Sequence, residues 1–384
     1  MKTIRSIKLK ITSQHQEFST TVAKYLAAIN WLSKIVFTRK KLTATNSLQK
    51  ELYATIREKF KLPSQVTCAL FRHVLGTYRS MKSNKEWELA IYKRETMPIG
   101  WQRDFNLTKK GLTIWGKPVS YTSRKIPQGV WMDSKLKRIK GRWYLYLSIE
   151  IDIPDAKQNG VIIGVDSGIK NLLVAVNKKT NKTLYIDGGE LNHRRLCVRQ
   201  TRKKVVRVGS RSAYRLLKRL SGKERAITQE LLHTASKQLV AFAEENGAKV
   251  VVMEDLLGIC KYGMKQVHHK KQRANNHRWP FAQAQFYVEY KALEKGIGFE
   301  VVNPQNTSRA CPCCGNTEKA NRKGLVFRCR SCNHQDNADR IGAINIASRS
   351  ILLRQAVEER GVCQSPYSNH EGNCSNELQT ATMR

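Results

Sequence analysis

Acidic residues are scarce in this chain. Its 384 residues include 30 aspartates and glutamates against 69 lysines and arginines, which gives a net charge of +39. A compact protein with such an excess of one sign repels itself unless a polyanion neutralises it. Nucleic acid is the obvious polyanion, since no long basic amphipathic helix or lipidation signal supports a membrane surface. The shortage of acids therefore argues against an ordinary metabolic enzyme.

Long apolar runs are also missing. No segment approaches the roughly 20 apolar residues that a bilayer crossing requires, and the first ten residues carry positive charge without the apolar stretch of a secretion signal. A hydrophobic content of 41% nevertheless excludes disorder over the whole chain. At roughly 150 residues per domain, we expect two or three folded domains and no secretion.

Cysteines are not spread along the chain as in a secreted disulfide protein. Five of the ten lie in one short stretch, and four of these form two pairs with i, i+3 spacing, namely Cys311 with Cys314 and Cys329 with Cys332. Such a pair lets one tight turn present two thiolates to a tetrahedral Zn²⁺. We predict a zinc ribbon with one structural ion, which folds a stretch with little core of its own. Cys313 is a spare thiol and His334 a less favoured ligand.

The hydrophobic pattern of the front half of the chain changes twice. Residues 3–11 alternate apolar and basic side chains, which predicts a strand, and residues 13–85 show mostly helical spacing. Residues from about 100 to 154 return to a strand pattern that is expected to pair with the N-terminal strand. Tryptophans and tyrosines lie there beside lysines and arginines. They either stack on nucleic acid or form the core of a sheet with a solvated basic face.

Three acids stand at the ends of otherwise apolar elements. Asp166 follows the apolar strand of residues 161–165, Glu254 ends the strand of residues 249–254, and Asp339 lies in the first turn of a predicted helix. Buried acids are costly unless they are paired or bind a cation, so converging carboxylates indicate a hard divalent ion such as Mg²⁺. Asp255 and Asp336 compete for these roles. Asp255 would point to the opposite face from Glu254, and Asp336 could instead cap the final helix.

Two segments are rich in positive charge. Residues 193–225 contain a single acid, and the leucines of their second half predict a helix with one buried and one cationic face. Residues 265–279 form a second basic stretch, expected as a loop that orders on nucleic acid. The predicted nucleic-acid-binding residues are Arg194, Arg195, Arg199, Arg202, Lys203, Lys204, Arg207, Arg211, Arg215, Lys270, Lys271 and Arg273.

Four motifs in this order resemble a known family. GVDSGIKNL, VVVMEDL, the paired C-x-x-C ribbon and NADRIGAINIASR are similar to the corresponding stretches of the transposon-encoded TnpB family, relatives of the type V CRISPR effectors. YKALEKGIGFEVVNPQNTSRAC is similar to the family's segment that leads into its ribbon. The match covers residues 160–349, about half of the chain. The resemblance implies that Asp166, Glu254 and Asp339 are the catalytic ligands of two Mg²⁺ ions, and it selects Asp339 over Asp336.

The resemblance also implies a multidomain α+β fold. Residues 1–12 and 86–158 would form a wedge-like β-barrel, and residues 13–85 a helical recognition lobe. Residues 159–305 and 336–354 would form a RuvC-like nuclease domain of RNase H fold, interrupted by the zinc ribbon of residues 306–335. Residues 355–384 would form a disordered tail.

The implied function is RNA-guided cleavage of DNA. The partners would be a guide RNA from the transposon end and a double-stranded target beside a short flanking motif. A monomeric protein in a ribonucleoprotein of the prokaryotic cytosol is expected. A protein-only nuclease or recombination enzyme of the same fold, and a non-cleaving RNA-guided regulator, remain alternatives.

Overall fold

The structure is a computed structural model. It describes residues 2–13, 16–40, 42, 44–123, 126–256 and 279–350, and the chain divides into two compact units, Met1–Asp152 and Ile153–Arg384. The predicted tail and the basic residues Lys270, Lys271 and Arg273 lie outside the described residues. Among the described helices, none has both the length and the apolar character that a membrane crossing requires.

The first unit combines three helices with strands. Its elements are β1 (Lys2–Ile11), α1 (Gln16–Arg39), α2 (Thr45–Phe60), α3 (Ser64–Ser83), β2 (Thr96–Ile99), β3 (Phe105–Thr108), β4 (Gly111–Ile114), β5 (Lys117–Val119), β6 (Tyr121–Thr122), β7 (Val130–Ile139) and β8 (Arg142–Asp152). The N-terminal strand β1 pairs antiparallel with β8 over nearly its whole length, from Lys2 opposite Asp152 to Lys10 opposite Tyr144. The predicted pairing of the two distant segments, with helices between them, is therefore confirmed.

Two sheets form in this unit. One has the strand order β2-β7-β8-β1-β6 and the other the order β3-β4-β5. β7 and β8 are joined by Lys140 and Gly141, both at positive φ, a conformation that matches the twist of a two-residue hairpin. Alternate residues of β8, such as Leu145 and Leu147, are fully buried and join one core with the apolar faces of α1 and α3. Closure of these strands into a barrel stays a prediction.

The second unit is built on a mixed sheet. Its elements are β9 (Val161–Asp166), β10 (Asn171–Asn177), β11 (Thr183–Asp187), α4 (Gly189–Val208), α5 (Arg211–Leu220), α6 (Lys223–Glu245), β12 (Ala248–Glu254), α7 (Phe281–Leu293), β13 (Gly298–Val302), a 3-10 turn (Lys319–Asn321), β14 (Arg322–Lys323), β15 (Val326–Arg328), β16 (Gln335–Asn337) and α8 (Ala338–Ser348). The main sheet has the order β11-β10-β9-β12-β13. β12 runs parallel to β9 and β13, whereas β10 runs antiparallel to β9 and β11.

Helices cover both faces of this sheet. Residues such as Ile163 and Val251 face α6 and α7, and their neighbours Ile162 and Val250 face α8. The backbone of α8 comes so close to β9 that a Cβ at Gly164 would stand 2.0 Å from the carbonyl oxygen of Ala343. Only glycine permits this approach. It brings the first turn of α8 over the end of β9, where the candidate site lies.

Candidate active site and metal centre

Asp166 and Glu254 end two neighbouring parallel strands. Val165 of β9 is paired with Met253 of β12, so the next residue along each strand, Asp166 or Glu254, reaches the same edge of the sheet. Both acids share the sheet face of Gly164 and Val252, because side chains alternate along a strand. Glu254 is buried, and its Oε1 accepts a hydrogen bond from the Thr307 hydroxyl.

Asp339 reaches this edge from the helix above. It lies in the first turn of α8, where Asn337 caps the helix by accepting hydrogen bonds from the backbone N–H of Asp339 and of Arg340. One turn later, a Cβ at Gly342 would stand 3.2 Å from Cγ of Asp166, so the helix rests directly on that carboxyl group. The structure thus brings Asp166, Glu254 and Asp339 to one place from three distant segments.

Burial and mutual repulsion define the electrostatics of this group. Burial raises the pKa of Asp166 well above its usual range, and the charges of Glu254 and Asp339 raise it further. Burial also raises the pKa of Glu254, although the Thr307 hydrogen bond and the positive charges of Arg349 and Arg322 act in the opposite direction. The carboxylates are buried, and their negative charge is only partly compensated. A bound cation would lower the free energy cost of burying them in the ionised form.

Asp339 has two protein partners. Asn171 donates a hydrogen bond from Nδ2 to its Oδ2 at 3.0 Å, and Arg322 donates from Nη2 to its Oδ1 at 3.0 Å. Arg322 belongs to β14, inside the ribbon segment, and its charge also favours ionised Asp166 and Glu254. The ribbon therefore provides the acid group with a built-in counter-charge.

The two competing acids lie elsewhere. Asp255 is exposed, and its backbone N–H donates to the carbonyl oxygen of Val302 at 2.8 Å. Asp336 forms an ion pair with Arg340. The interpretation of Asp336 as the cap of the final helix is wrong, because the side chain of Asn337 performs this role.

Sequence reasoning missed the residues that hold the acids in place. Thr307 is buried in the segment after β13, and its carbonyl oxygen accepts a hydrogen bond from Nδ2 of the buried Asn345 at 2.6 Å. Asn345 also donates to the carbonyl oxygen of Ala310, so α8 anchors the segment that orients Glu254. Thr307 lies in the stretch NPQNTSRAC, which was part of the resemblance, but no spacing rule assigns it a role.

The four predicted zinc ligands converge. The Sγ atoms of Cys311, Cys314, Cys329 and Cys332 all lie within 4.8 Å of one another. Cys311 and Cys332 are 3.6 Å apart and Cys314 and Cys329 are 3.4 Å apart, sulfur to sulfur. Four sulfurs about 2.3 Å from a shared zinc ion would stand about 3.8 Å apart in a tetrahedron. The cluster therefore has the size and the donor set of a zinc site, and it could hold a structural zinc ion.

Local groups shift the pKa values of these thiols in both directions, since burial raises the pKa of Cys311. A hydrogen bond from the backbone N–H of Asn316 is the largest cause that lowers the pKa of the Cys314 thiol to about 7, and Cys329 contributes. Cys313 is exposed and outside the group of four. Within the described residues, these four cysteines form the group of metal-ligating side chains whose ligand atoms all lie within 4.8 Å of one another. The three carboxylates do not form such a group.

The ribbon shares its core with the helix that carries Asp339. Buried Cys311, Cys329 and Phe327 pack in one cluster with Ala338 and Ile341 of α8. β16 also ends at Asn337, directly before the helix. The ribbon therefore packs directly against the first turn of α8, where Asp339 lies.

The basic residues of α4 and α5 divide into two groups. Arg195 is buried, its Nε donates to Oε1 of Glu224 at 3.2 Å, and its guanidinium lies 5.7 Å from the ring centroid of Trp279. Arg199 binds the same carboxylate at 2.6 Å, and Arg194 pairs with Glu190. The exposed group consists of Arg202, Lys203, Lys204, Arg207, Arg211 and Arg215. Packing thus occupies part of the predicted cationic surface and leaves the larger part open to solvent.

Comparisons with known proteins agree with these features. The family model described as "Cas12f1-like, TNB domain" matches residues 281–346. TnpB-like protein MJ0751 of Methanocaldococcus jannaschii is 30% identical over 213 residues, which span 54% of this chain and 75% of that protein. The CRISPR-associated endodeoxyribonuclease Cas12f1 of Sulfoacidibacillus thermotolerans is 28% identical over 226 residues, 55% of this chain and 51% of that protein.

The chain spans about half the length of this Cas12f1 relative. A solved structure titled as the mini-RNA-guided endonuclease CRISPR-Cas_phi3 superposes with a TM-score of 0.52 at 11% identity and covers 90% of this chain and 92% of its own. That likeness concerns the fold alone. With a relative at 30% identity covered over three quarters of its length, the chain belongs to the TnpB/Cas12f-type family.

Proposed function

We propose that this chain is an RNA-guided DNA endonuclease of a transposable element. Two kinds of relative support the proposal by name: TnpB-like proteins and CRISPR-associated endodeoxyribonucleases. The net charge of +39 supports nucleic-acid partners, which would be a guide RNA and a double-stranded DNA target beside a short flanking motif. The working particle would be one protein chain with its guide, in a prokaryotic cytosol or nucleoid.

The proposed domains follow the elements of the two units. The RuvC-like nuclease domain would be the mixed sheet with α8, and its support is the strand order β11-β10-β9-β12-β13, in which β10 runs opposite to the other four strands. The zinc ribbon would be the insertion between β13 and α8. The wedge-like domain would comprise the strands of the first unit, and α1 to α3 would form the recognition lobe.

One observation carries the nuclease proposal: three acids from distant segments meet at one sheet edge, where burial and mutual repulsion raise the pKa of Asp166 and burial raises that of Glu254. Oxygen donors in this state fit a hard cation. The family resemblance implies that two such ions would share these ligands. Asp166, Glu254 and Asp339 would hold Mg²⁺.

When bound there, Mg²⁺ supplies an activated water and stabilises the leaving oxygen of a phosphodiester. The chain's own residues do the positioning. The β9 and β12 ends fix Asp166 and Glu254, the Thr307 hydroxyl orients Glu254, and Asn171 orients Asp339. The exposed basic residues of α4 and α5 would guide the phosphate backbone toward the site. Lys270, Lys271 and Arg273 are proposed to contribute.

The test is the Asp166→Ala variant of the full chain, purified with its RNA. Cleavage of a matched DNA duplex is expected to fall by about 1000-fold or more, because charge stabilisation at the reacting centre is lost. Binding of RNA and of DNA should be nearly unchanged. The matched control is Asp255→Ala, which removes an exposed acid at the end of the same strand and should cut normally.

Two outcomes would contradict the proposal. Cleavage by Asp166→Ala at the normal rate would remove Asp166 from the reaction, and loss of RNA binding in that variant would make it a structural residue. A ribonuclease-treated sample separates the alternatives, since a protein-only nuclease keeps cutting without its RNA and an RNA-guided enzyme stops.

A further inference from the structure

A tyrosine on the edge strand of the second unit stands in line with the acid site. Tyr185 of β11 is paired with Val174 of β10, and Val174 is also paired with Asp166 of β9. Residues directly opposite each other on antiparallel strands point to the same face of the sheet. The Tyr185 side chain therefore lies on the face of Asp166. Two inter-strand spacings, about 10 Å, separate the two backbones at this row.

The Tyr185 ring is open to solvent although its neighbour on this face is covered. Val174 is buried in a cluster with Ala343 of α8, whereas Tyr185 is 45% exposed. Leu184 and Ile186, which flank it on the strand, pack on the other face against the core formed with α6 and α7. The core of the sheet therefore does not account for an aromatic side chain at this position.

The helix that carries Asp339 also holds the strand that carries Tyr185. Arg340, the next residue of α8, donates a hydrogen bond from Nε to Oγ1 of Thr183 at 3.1 Å. Its guanidinium also forms an ion pair with Asp336. Thr183 lies two residues before Tyr185 on β11 and shares its face of the sheet. One helical turn thus links the acid group and the strand of the ring, so the ring has a fixed place beside the acids.

The phenol of Tyr185 stays neutral beside these charges. Burial raises the pKa of Tyr185, and the negative charge of Asp336 raises it further. The positive charge of Arg340 acts in the opposite direction, and the charge of Asp339 acts in the same direction as that of Asp336. The ring therefore lies within electrostatic range of Asp339, and it adds no negative charge that would repel an approaching phosphate.

An exposed aromatic ring beside a nuclease site fits an unpaired base. Bases within a duplex stack on one another, whereas the bases of a separated strand can stack on aromatic side chains, with little regard to sequence. We propose that Tyr185 stacks on an unpaired base of the DNA strand being cut and so holds a nearby phosphate over the three acids. This inference rests on the proposed function, in which pairing with the guide displaces one strand of the target.

The test measures single-turnover cutting by the full chain with its RNA, bound in advance to a matched DNA duplex, with cutting started by Mg²⁺. Tyr185→Leu keeps an apolar side chain on the strand but removes the ring. Its cutting rate should fall by about 10-fold, because a base–aromatic stack of ordinary strength is lost. The amount of bound target should stay unchanged. Tyr185→Phe and Tyr185→Trp keep a ring and should cut within about twofold of the wild-type rate.

Removal of the base provides a second readout. Nucleotides that lack a base are placed one at a time near the cut in the displaced strand, which leaves the RNA–DNA pairing intact. At one position, the missing base should slow wild-type cutting by about 10-fold. The same change should slow Tyr185→Leu by less than about twofold, because its stacking partner is already absent. A residue that only supports the fold would show no such coupling to a single base.

The matched control is Phe286→Leu. Phe286 is 59% exposed on α7, which covers the opposite face of the same sheet, so this variant also removes an exposed ring from the second unit. It should cut at the wild-type rate and respond to base removal as the wild type does. The thermal midpoints of both leucine variants should stay within about 2 °C of wild type, since both rings are largely exposed.

Several outcomes would overturn the inference. An unchanged cutting rate in Tyr185→Leu would remove the ring from substrate positioning. A loss that Tyr185→Phe and Tyr185→Trp also show, or one that is independent of base removal, would make Tyr185 a structural residue. Weaker target binding by Tyr185→Leu would assign the ring to target capture. A wild-type complex that cuts no DNA with Mg²⁺ would instead refute the proposed function itself.

Discussion

Two clusters of metal-ligating residues in the described part of the second unit are built in opposite ways. Four thiols come from two tight turns between residues 311 and 332 and lie within 4.8 Å of one another. Three carboxylates come from β9, β12 and α8, between residues 166 and 339, and are partly neutralised by Arg322. The thiols can be neutral without metal, whereas ionised acids in a buried place repel one another. The comparison teaches that the thiol cluster is built locally and could hold a structural ion, while the acid site is assembled by the sheet and destabilised by its own charge.

The largest effect is expected at the thiols. The variant Cys311→Ser/Cys314→Ser should lose its zinc and most of the ribbon's stability, because a structural zinc site contributes about 10 kcal/mol or more of binding free energy to folding. Zinc content by mass spectrometry and soluble yield measure this. Cys313→Ser is the matched control, since that exposed thiol lies outside the cluster. A double variant that stays folded with a full zinc content would refute the assignment.

Substitution in the acid site should instead increase the stability of the folded chain. Asp166→Asn should stabilise the metal-free chain by about 1–3 kcal/mol at neutral pH, because it removes a buried charge that is only partly paired. The sign follows from the raised pKa of Asp166, since the folded state binds this proton more tightly than the unfolded state. The stability difference should therefore vanish as the pH falls below the ordinary pKa of aspartate, about 3.9.

Denaturant unfolding of metal-free protein across this pH range measures that difference. Added Mg²⁺ should stabilise the wild type and leave Asp166→Asn nearly unchanged. Asp255→Asn, at an exposed acid next to Glu254, should show neither effect. A variant less stable than the wild type at neutral pH would mean that Asp166 makes favourable contacts, and the contrast between the two clusters would fail.

The smallest effect is expected at the contact that links the two clusters. Arg322→Gln removes the ribbon's counter-charge from Asp339 and should destabilise the metal-free chain by about 1 kcal/mol, since Arg322 is partly exposed and its pair is screened. Affinity for Mn²⁺ should rise several-fold, because the site becomes more negative. Calorimetric titration measures it. Lys323→Gln, which removes the adjacent exposed charge, is the control, and weaker Mn²⁺ binding by Arg322→Gln would contradict the counter-charge role.

Local patterns gave correct expectations where neighbours in sequence are also neighbours in space. The i, i+3 cysteines, the helices within residues 13–85 and the alternating strand β8 follow from periods that the backbone imposes. The zinc cluster was predictable for the same reason. By contrast, Asp336 and Asp339 are three residues apart in one segment, and local spacing left both open as candidates. Resemblance favoured Asp339, and Asp336 turned out to pair with Arg340.

The sequence by itself determined the charge excess, the four-cysteine set that could bind zinc and the type of the main elements, because these depend on composition and on short repeats. Tertiary structure alone decided that Thr307 holds Glu254, that Arg322 reaches Asp339 from the ribbon, and that lysines from β1 and β7 flank the tyrosines of β8. Each of these contacts joins groups whose separation in the chain carries no periodic signal. Their meeting is fixed by strand register and helix packing, which the whole core sets at once.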